Sequence, residues 1–437
     1  MKKLTLTIIL LTIMLLPIFS NLVFTDGIIP KKITAFDSGD IAWMLTASAL
    51  VLLMTPGLAF FYGGLVGKKN VISTMFQSYI AMVIIGVLWV VVGYGLCYGP
   101  SISGFIGNPT KFLFFQGIGA HTASSLAPTI PLILFAMFQA KFAIITPALI
   151  TGSFAERIRF WPYILFIVLF VIFIYAPVAH TVWSPDGFFH KMGVLDFAGG
   201  TVVHMTAGWA SLAGAIFLGK RKNQEIVPAQ VPFVLLGTAL LWVGWFGFNA
   251  GSAMGANAIA AQAFGTTFIA AAAGGITWMF IDKIRGYEIT AVETSLGVLV
   301  GLIAATPACA YVSAYHAVTI GSVASLVSYI VVSEFPKGII DDALDVFACH
   351  AVAGITGLLL TGVFATKLVN PAVTQEGLLY GGGELFTSQL IAVACVSAFA
   401  FFGSYFLFFV VNLITKLRVS EQLETTGLDS QQIGGEV

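Results

Sequence analysis

Charge is what this sequence most lacks. Of its 437 residues, 20 are Lys or Arg and 20 are Asp or Glu, so only 9% carry charge, against about 25% in a typical soluble domain. Hydrophobic residues make up 58%, more than a soluble protein of this size can bury. The low charge also argues against a disordered chain, and zero net charge removes any electrostatic basis for nucleic-acid binding. The composition therefore predicts a polytopic membrane protein.

Catalytic and metal-binding motifs are missing as well. The sequence contains no HExxH, GxSxG or Walker motif and no cluster of carboxylates at metal-ligand spacing. Its four cysteines never form a CxxC pair and lie in apolar stretches, as buried small apolar side chains do. We therefore expect neither an enzyme nor a protein with a metal or other cofactor.

Long runs without a charged residue predict the membrane-spanning helices, because a span needs about 20 apolar residues. Two of the runs are long enough for two helices each, separated at residues 249–252 and near Pro307. The third helix, which begins within the run 112–140, extends from about Pro128 to Phe154 and is interrupted by a single charge, Lys141. The sequence thus predicts an all-α protein with eleven helices in a membrane domain at 40–415. The runs are 41–67, 70–110, 112–140, 160–185, 197–219, 226–281, 294–333, 346–366 and 385–415.

The basic residues predict how these helices are oriented. The loops after odd-numbered helices, with the C-terminal exit, hold 12 Lys or Arg residues, and the loops after even-numbered helices hold three. Basic loops stay in the cytoplasm. The sequence therefore predicts an N-terminus outside and a cytoplasmic C-terminal regulatory tail at 416–437.

The first 25 residues resemble a secretory signal peptide. Lys2 and Lys3 precede an apolar stretch at 4–19, which a polar Ser20 ends. Ile18 occupies a position where signal peptidases favour a small residue. An uncleaved membrane anchor therefore stays open as the alternative to a signal peptide at 1–25.

Two distant segments of the sequence resemble each other. Each begins with an acid (Asp196, Asp345) and continues to a histidine (His204, His350) that a glycine follows four residues later. They fall in the fifth and tenth predicted helices, which cross the membrane in opposite directions. This predicts an inverted repeat of five plus five helices with an extra C-terminal helix, and a site near the midplane between the halves.

The two histidines are the ionisable residues that most suggest a site, because charges and imidazoles inside spans are costly. We predict that His204 and His350 line a pore together, where two bonded neutral imidazoles leave one donor and one acceptor free for a small polar solute. Two core histidines bonded to backbone carbonyls are the alternative. For Asp196 and Asp345 the alternative is capping of a helix.

Several aromatic residues stand out by position. Phe138 and Phe142 share a face at spacing i, i+4, and Trp183, Phe248 and Ser252 come near the outer ends of predicted helices. A cation held over Trp or Phe rings gains about 0.5–2 kcal/mol. Position alone is also compatible with ordinary core or lipid-facing roles.

Five stretches together resemble the ammonium transporters of the Amt/Mep/Rh superfamily, in particular the bacterial and archaeal Amt branch. They occur in the order in which the family has them, and the resemblance extends from about residue 40 to the end. The stretches are 56–64, 155–160, 196–204, 244–252 and 345–350.

This resemblance implies a homotrimer in the cell (plasma or inner) membrane that recruits ammonium, deprotonates it and conducts ammonia, with or without a separate proton relay. It implies no cofactor, and it implies docking of a PII-type (GlnK-like) regulatory protein on the cytoplasmic face. Lys141 departs from many relatives, and we expect it to face away from the pore. The implied site residues are an ammonium-binding vestibule of Phe138, Trp183, Ser252 and Asp196, a gate of Phe142 and Phe248, and a pore lined by His204 and His350.

Two other functions stay open. One is a neutral gas channel like the Rh branch, although Trp183 and Ser252 favour the Amt branch. The other is an ammonium sensor that signals through its tail, although nothing after the last predicted helix reads as an output domain.

Overall fold

The computed structural model describes residues 36–224, 227–334 and 339–433, and most of these residues are helical. Within them, ten helices are long and apolar enough to cross a membrane, and an eleventh apolar helix has 15 residues. The predicted signal peptide at 1–25 lies outside the described residues. The composition thus led correctly to a helical protein with many apolar spans.

Most helices agree with the predicted runs, but residues 99–110 and 112–131, which fall in the runs 70–110 and 112–140, lie outside the long helices. One antiparallel hairpin pairs β1 (Ser101–Ile102) with β2 (Ile106–Gly107). The third long helix starts at Leu132, directly after Pro131, and not near residue 128 as predicted. The helices are α1 (Ser38–Leu65), α2 (Lys68–Tyr98), α3 (Leu132–Phe154), α4 (Phe160–Lys191, with a break after Trp183), α5 (Gly200–Leu218), α6 (Val231–Gly251), α7 (Ala258–Ile284), α8 (Ala291–Ala305), α9 (Ala314–Glu334), α10 (Phe347–Phe364), α11 (Glu384–Ile414) and α12 (Glu421–Thr426).

Local sequence explains where several helices begin. The Asp37 carboxylate accepts a bond from the Asp40 N–H at the start of α1, and Asn257 caps α7 in the same way. Thr290 caps α8 by accepting a bond from the N–H of Glu293 at 3.1 Å. These side chains satisfy N–H groups that have no partner within the helix.

Glycines allow the helices to approach closely. The most extensive helix contact joins α1 to α6, and a Cβ atom at Gly237 would lie 2.3 Å from the Phe61 nitrogen across it. Small residues have this role in membranes, where burial of apolar surface does not drive helices together. By contrast, α11 packs along α5 on the outside of the bundle and is the least buried of the long helices.

The two helices that carry the similar segments share an irregular start. Both α5 and α10 begin as a turn of π-helix, at Gly200–Met205 and Phe347–Val352. They cross where a Cβ atom at Gly208 would lie 2.3 Å from the Ala351 nitrogen. This close crossing positions the two histidine side chains next to each other.

Candidate functional site

His204 and His350 meet inside the helix bundle. Their Nδ1 atoms are 3.2 Å apart, and the ring centroids are separated by 5.4 Å. Both side chains are buried, at 1% and 7% exposure. The structure therefore brings together two residues that are 146 positions apart in the sequence.

A narrow cavity surrounds the histidine pair. The centre of a water-sized molecule has about 20 Å³ of space there, and about 10–15 Å³ is enough for one water. Six helices form its wall, three from each predicted half: α1, α3 and α5, with α6, α8 and α10. The lining residues are Met54, Leu58, Phe61, Tyr62, Ile145, Leu149, Val203, His204, Leu241, Trp245, Phe248, Leu299, Ile303 and His350.

The contact between the imidazoles limits their protonation. A bond between two Nδ1 atoms needs a hydrogen on one and a lone pair on the other, so at most one of the two rings can carry a positive charge, and we consider the pair with both rings neutral. The donating ring then has a bare Nε2 acceptor, and the accepting ring has an Nε2–H donor. His204 Nε2 is buried and has no partner among the described residues. The cavity therefore offers a polar solute of the size of water a hydrogen-bonding contact between apolar walls.

Phenylalanine rings close one end of this cavity. The centroids of Phe142 and Phe248 are 4.3 Å apart, and Phe248 lies 5.9 Å from the His204 ring. Phe138 contacts Phe142 at 5.0 Å, edge to face. All three phenylalanines are at most 1% exposed, so a solute reaches the histidines from this side only if the rings move.

Trp183, Ser252 and Asp196 lie beyond the phenylalanines, at what we call the vestibule end of the cavity. The Trp183 ring contacts Phe142 at 5.8 Å and is half-buried. The Ser252 hydroxyl donates to the carbonyl of Phe248 at 2.8 Å, which leaves its oxygen lone pairs free to accept. The Trp183 indole N–H donates to the Asp196 carbonyl at 3.0 Å.

The Asp196 carboxylate caps α5. One oxygen accepts bonds from the N–H groups of Gly199 and Gly200, and the other from those of Thr201 and Val202, at 2.7–3.2 Å. Burial raises the pKa of Asp196, and the four N–H donors act in the opposite direction. Asp196 therefore holds the start of the helix that carries His204.

Lys141 lies on a different face of α3 from the phenylalanines. Apart from it, only Ile133 and Met137 among the residues of α3 are not fully buried, and the three form one stripe at i, i+4 and i+8. Phe138 and Phe142 lie about 120° around the helix from this stripe, at 100° per residue. Within the described residues, Lys141 forms no ion pair.

Three residues of the site were not singled out by the sequence analysis. The Trp245 ring stacks on His204 at 5.4 Å, and Tyr62 lines the cavity. The Asp342 carboxylate accepts a bond at 2.7 Å from Phe347, the first residue of α10. Asp342 lies eight residues before His350, as Asp196 lies eight before His204. This shared spacing of eight residues could have identified Asp342 from the sequence, but the similarity of the two segments was read from Asp345 instead.

A buried ion cluster lies at the opposite end of the cavity, which we call the tail end. Asp341 bonds Arg221 at 2.7 Å and Arg157 at 3.3 Å, and Glu156 bonds Arg221 at 3.3 Å. Burial and the neighbouring Arg221 lower the pKa of Arg157 to about 10. Burial alone would raise the pKa of Asp341, but the two arginines hold it below its usual value.

The C-terminal segment docks on this same end. Asp429 accepts bonds from the N–H groups of Ile72 and Ser73 and from the Ser73 hydroxyl at 2.7–3.0 Å. Glu424 accepts a bond from the Lys222 N–H and pairs with Arg418. The segment thus caps α2 and contacts the loop after α5.

Comparison with known proteins identifies the family. A sequence model of the Ammonium Transporter Family matches residues 42–437. A putative ammonium transporter of Methanothermobacter thermautotrophicus is 45% identical over 395 residues, which cover 90% of this chain and 96% of that protein. An ammonium transporter of Aquifex aeolicus is 43% identical and covers 96% of both chains. The crystal structure of Saccharomyces cerevisiae Mep2 is 34% identical, with a TM-score of 0.84 over 92% of this chain and 94% of that one. This multi-pass membrane protein therefore belongs to the Ammonium Transporter Family.

Proposed function

We propose that the protein transports ammonium by binding it at the vestibule end, removing one proton and conducting ammonia past His204 and His350. The observation that carries this proposal is the water-sized cavity with mostly apolar walls, in which two imidazoles bond each other. Membership of a family of membrane transporters supports it.

The cavity accounts for selectivity. A bare cation loses its hydration in an apolar constriction, and burial of an unpaired charge is prohibitive. Ammonium avoids this cost by leaving a proton behind, because ammonia is neutral. Potassium has no proton to lose, so the same constriction excludes it.

The vestibule residues have separate tasks in this proposal. Phe138 and Trp183 attract the cation with their ring faces, worth about 0.5–2 kcal/mol each. Ser252 accepts a hydrogen bond from it through the free lone pairs of its hydroxyl. Asp196 has both oxygens bonded to backbone N–H groups, so it positions α5 and adds long-range negative potential.

We infer the topology from the basic loops and the family. Eleven spans within 40–415, with the N-terminus outside and the C-terminus inside, make the vestibule end extracellular and the tail end cytoplasmic. The six helices around the cavity pair as α1 with α6, α3 with α8 and α5 with α10, which supports an inverted repeat of five plus five. We further propose that the protein forms a homotrimer in the cell membrane and that residues 1–25 are a signal peptide.

The tail at 416–437 is proposed to regulate transport. It bonds the start of α2 and the loop after α5, so its release removes contacts at the tail end of the helix that carries His204. A PII-type protein that docks at the tail end would act on these contacts.

Replacing Asp429 by alanine is expected to release the tail. The variant leaves the N–H groups of Ile72 and Ser73 without their acceptor at the start of α2, and loss of such a cap costs about 0.5–2 kcal/mol. We expect hydrogen exchange in residues 416–433 to increase at least several-fold, while that of α5 is unchanged. A variant of the exposed Glu421, Glu421→Ala, serves as the control. Unchanged exchange in Asp429→Ala contradicts the docking role.

Ion responses of purified protein in liposomes test the proposed function. An ammonium jump is expected to move charge or change internal pH, without a comparable potassium current. His204→Ala is expected to let the potassium response rise, and the exposed His190→Ala is the control. A pH change without current identifies neutral ammonia conduction, as in a gas channel. A potassium current equal to the ammonium current in the unmodified protein contradicts the proposal, and silence in both signals favours a sensor.

A further inference from the structure

Asp342 differs from Asp196 although the two occupy equivalent places. Each lies eight residues before a pore histidine and accepts a bond from the first N–H groups of its helix. Asp196 uses both oxygens for four such bonds, whereas one oxygen of Asp342 accepts from Phe347. The other oxygen, Oδ1, is buried and has no partner among the described residues. Helix capping therefore explains the role of one oxygen of this carboxyl group and leaves the other unexplained.

The carboxyl group lies beside the pore at the tail end. A Cβ atom at Gly152 would lie 2.7 Å from Val346 and 2.8 Å from the Tyr62 ring, so these two side chains meet there. Tyr62 lines the cavity with both histidines. Asp342 is near enough to the Tyr62 hydroxyl for the two groups to interact electrostatically. A solute that passes the histidines towards the tail end thus comes close to Asp342.

The charges around Asp342 come from three elements. Asp345, on the same segment, disfavours a second negative charge, and Arg157, in the loop after α3, favours it. The Tyr62 hydroxyl, from α1, donates to the Leu149 carbonyl and is neutral. Burial, followed by the repulsion from Asp345, raises the pKa of Asp342 to about 7. Hydrogen bonds from the backbone of Phe347 and Val346 and the positive charge of Arg157 lower this pKa and only partly offset the increase.

We propose that Asp342 gives a proton to ammonia as it leaves the pore at the tail end, an inference that rests on the proposed function. In this step the O–H bond of the carboxylic acid breaks and an N–H bond forms, which yields ammonium and a carboxylate. A hydronium ion from the aqueous phase at the tail end then restores the acid and becomes water. The sum is ammonia plus hydronium giving ammonium plus water, so no further reactant is needed. An acid with a pKa near the working pH is best suited to such exchange.

The proposed proton transfer from Asp342 can be tested by uptake of radiolabelled methylammonium into liposomes. The protein is oriented with its tail end inside, and the internal pH is varied. In the unmodified protein, we expect the maximal rate to fall as the internal pH rises through about 7. Asp342→Asn is expected to lose this dependence and to lower the maximal rate by about 10²-fold, the lower end for loss of a general acid. Its KM is expected to be unchanged, because the vestibule is untouched. An Asn variant that keeps the pH profile of the unmodified protein overturns the proposal and leaves Asp342 as a cap.

A second variant keeps the test valid if Asp342→Asn does not fold. Asp345 has φ +54°, a conformation that Asn tolerates well, so Asp345→Asn is expected to fold. Removing its negative charge lowers the pKa of Asp342, so the midpoint of the pH profile is expected to move to lower pH. A midpoint that does not move overturns the proposal. An unmodified protein that takes up no methylammonium overturns the proposed function together with this inference.

Discussion

Asp196→Ala is expected to prevent accumulation of folded protein. Both oxygens of Asp196 are bonded to buried backbone N–H groups at the start of α5, four in all. Each buried donor left without a partner costs about 1–3 kcal/mol, and membrane interiors offer no water to replace the carboxylate. A loss of several such bonds approaches the whole stability of a typical protein, about 5–15 kcal/mol. Yield and thermal unfolding in detergent measure the effect.

Two further variants separate charge from position in this prediction. Asp196→Asn keeps one oxygen as an acceptor but directs an NH₂ group towards the remaining N–H donors, so it is expected to be destabilised nearly as much. Asp186→Asn changes an exposed acid nearby, whose pair with Lys191 lies in solvent, and is expected to behave like the unmodified protein. If Asp196→Ala unfolds at the same temperature as the unmodified protein, the capping role is wrong.

Asp341→Ala is expected to destabilise the tail end by about 3–5 kcal/mol, the usual cost of breaking a buried ion pair from one side. The substitution leaves Arg157 and Arg221 buried next to each other, at 0% and 6% exposure, with much of their compensating charge removed. The thermal midpoint in detergent measures this loss. Glu421→Gln breaks an exposed ion pair with Lys222 and serves as the control, because exposed pairs contribute little. An equal midpoint for both variants contradicts the prediction.

The same residue predicts the direction of a pH effect. The arginines lower the pKa of Asp341 in the folded protein, so its charge stabilises the fold at every pH above the unfolded value of about 3.9. This contribution is lost as the pH falls through the folded-state pKa. We therefore expect the unmodified protein to lose stability below about pH 4 more steeply than Asp341→Asn. Parallel pH profiles of the two proteins would exclude Asp341 as the source.

The apolar runs and the histidine repeat were readable from the sequence because their causes are local. A membrane span requires about 20 consecutive apolar residues, so most of the long helices follow the uncharged runs, whereas residues 112–131 of one run precede α3. The spacing of His204 and His350 from their glycines is likewise a property of single helices. Composition, helix positions and the choice of these two histidines therefore needed no tertiary structure.

Which side chains these residues contact depends on the tertiary structure alone. The contact of the two Nδ1 atoms at 3.2 Å depends on how closely α5 and α10 cross at Gly208. The stacking of Trp245 on His204 depends on the packing of a third helix. Likewise, the Asp342 carboxylate accepts from the first N–H of α10, and the chain between them turns at Asp345 with a positive φ. Such contacts join residues that are far apart in the sequence or separated by an irregular turn, and helical periodicity carries no information about either.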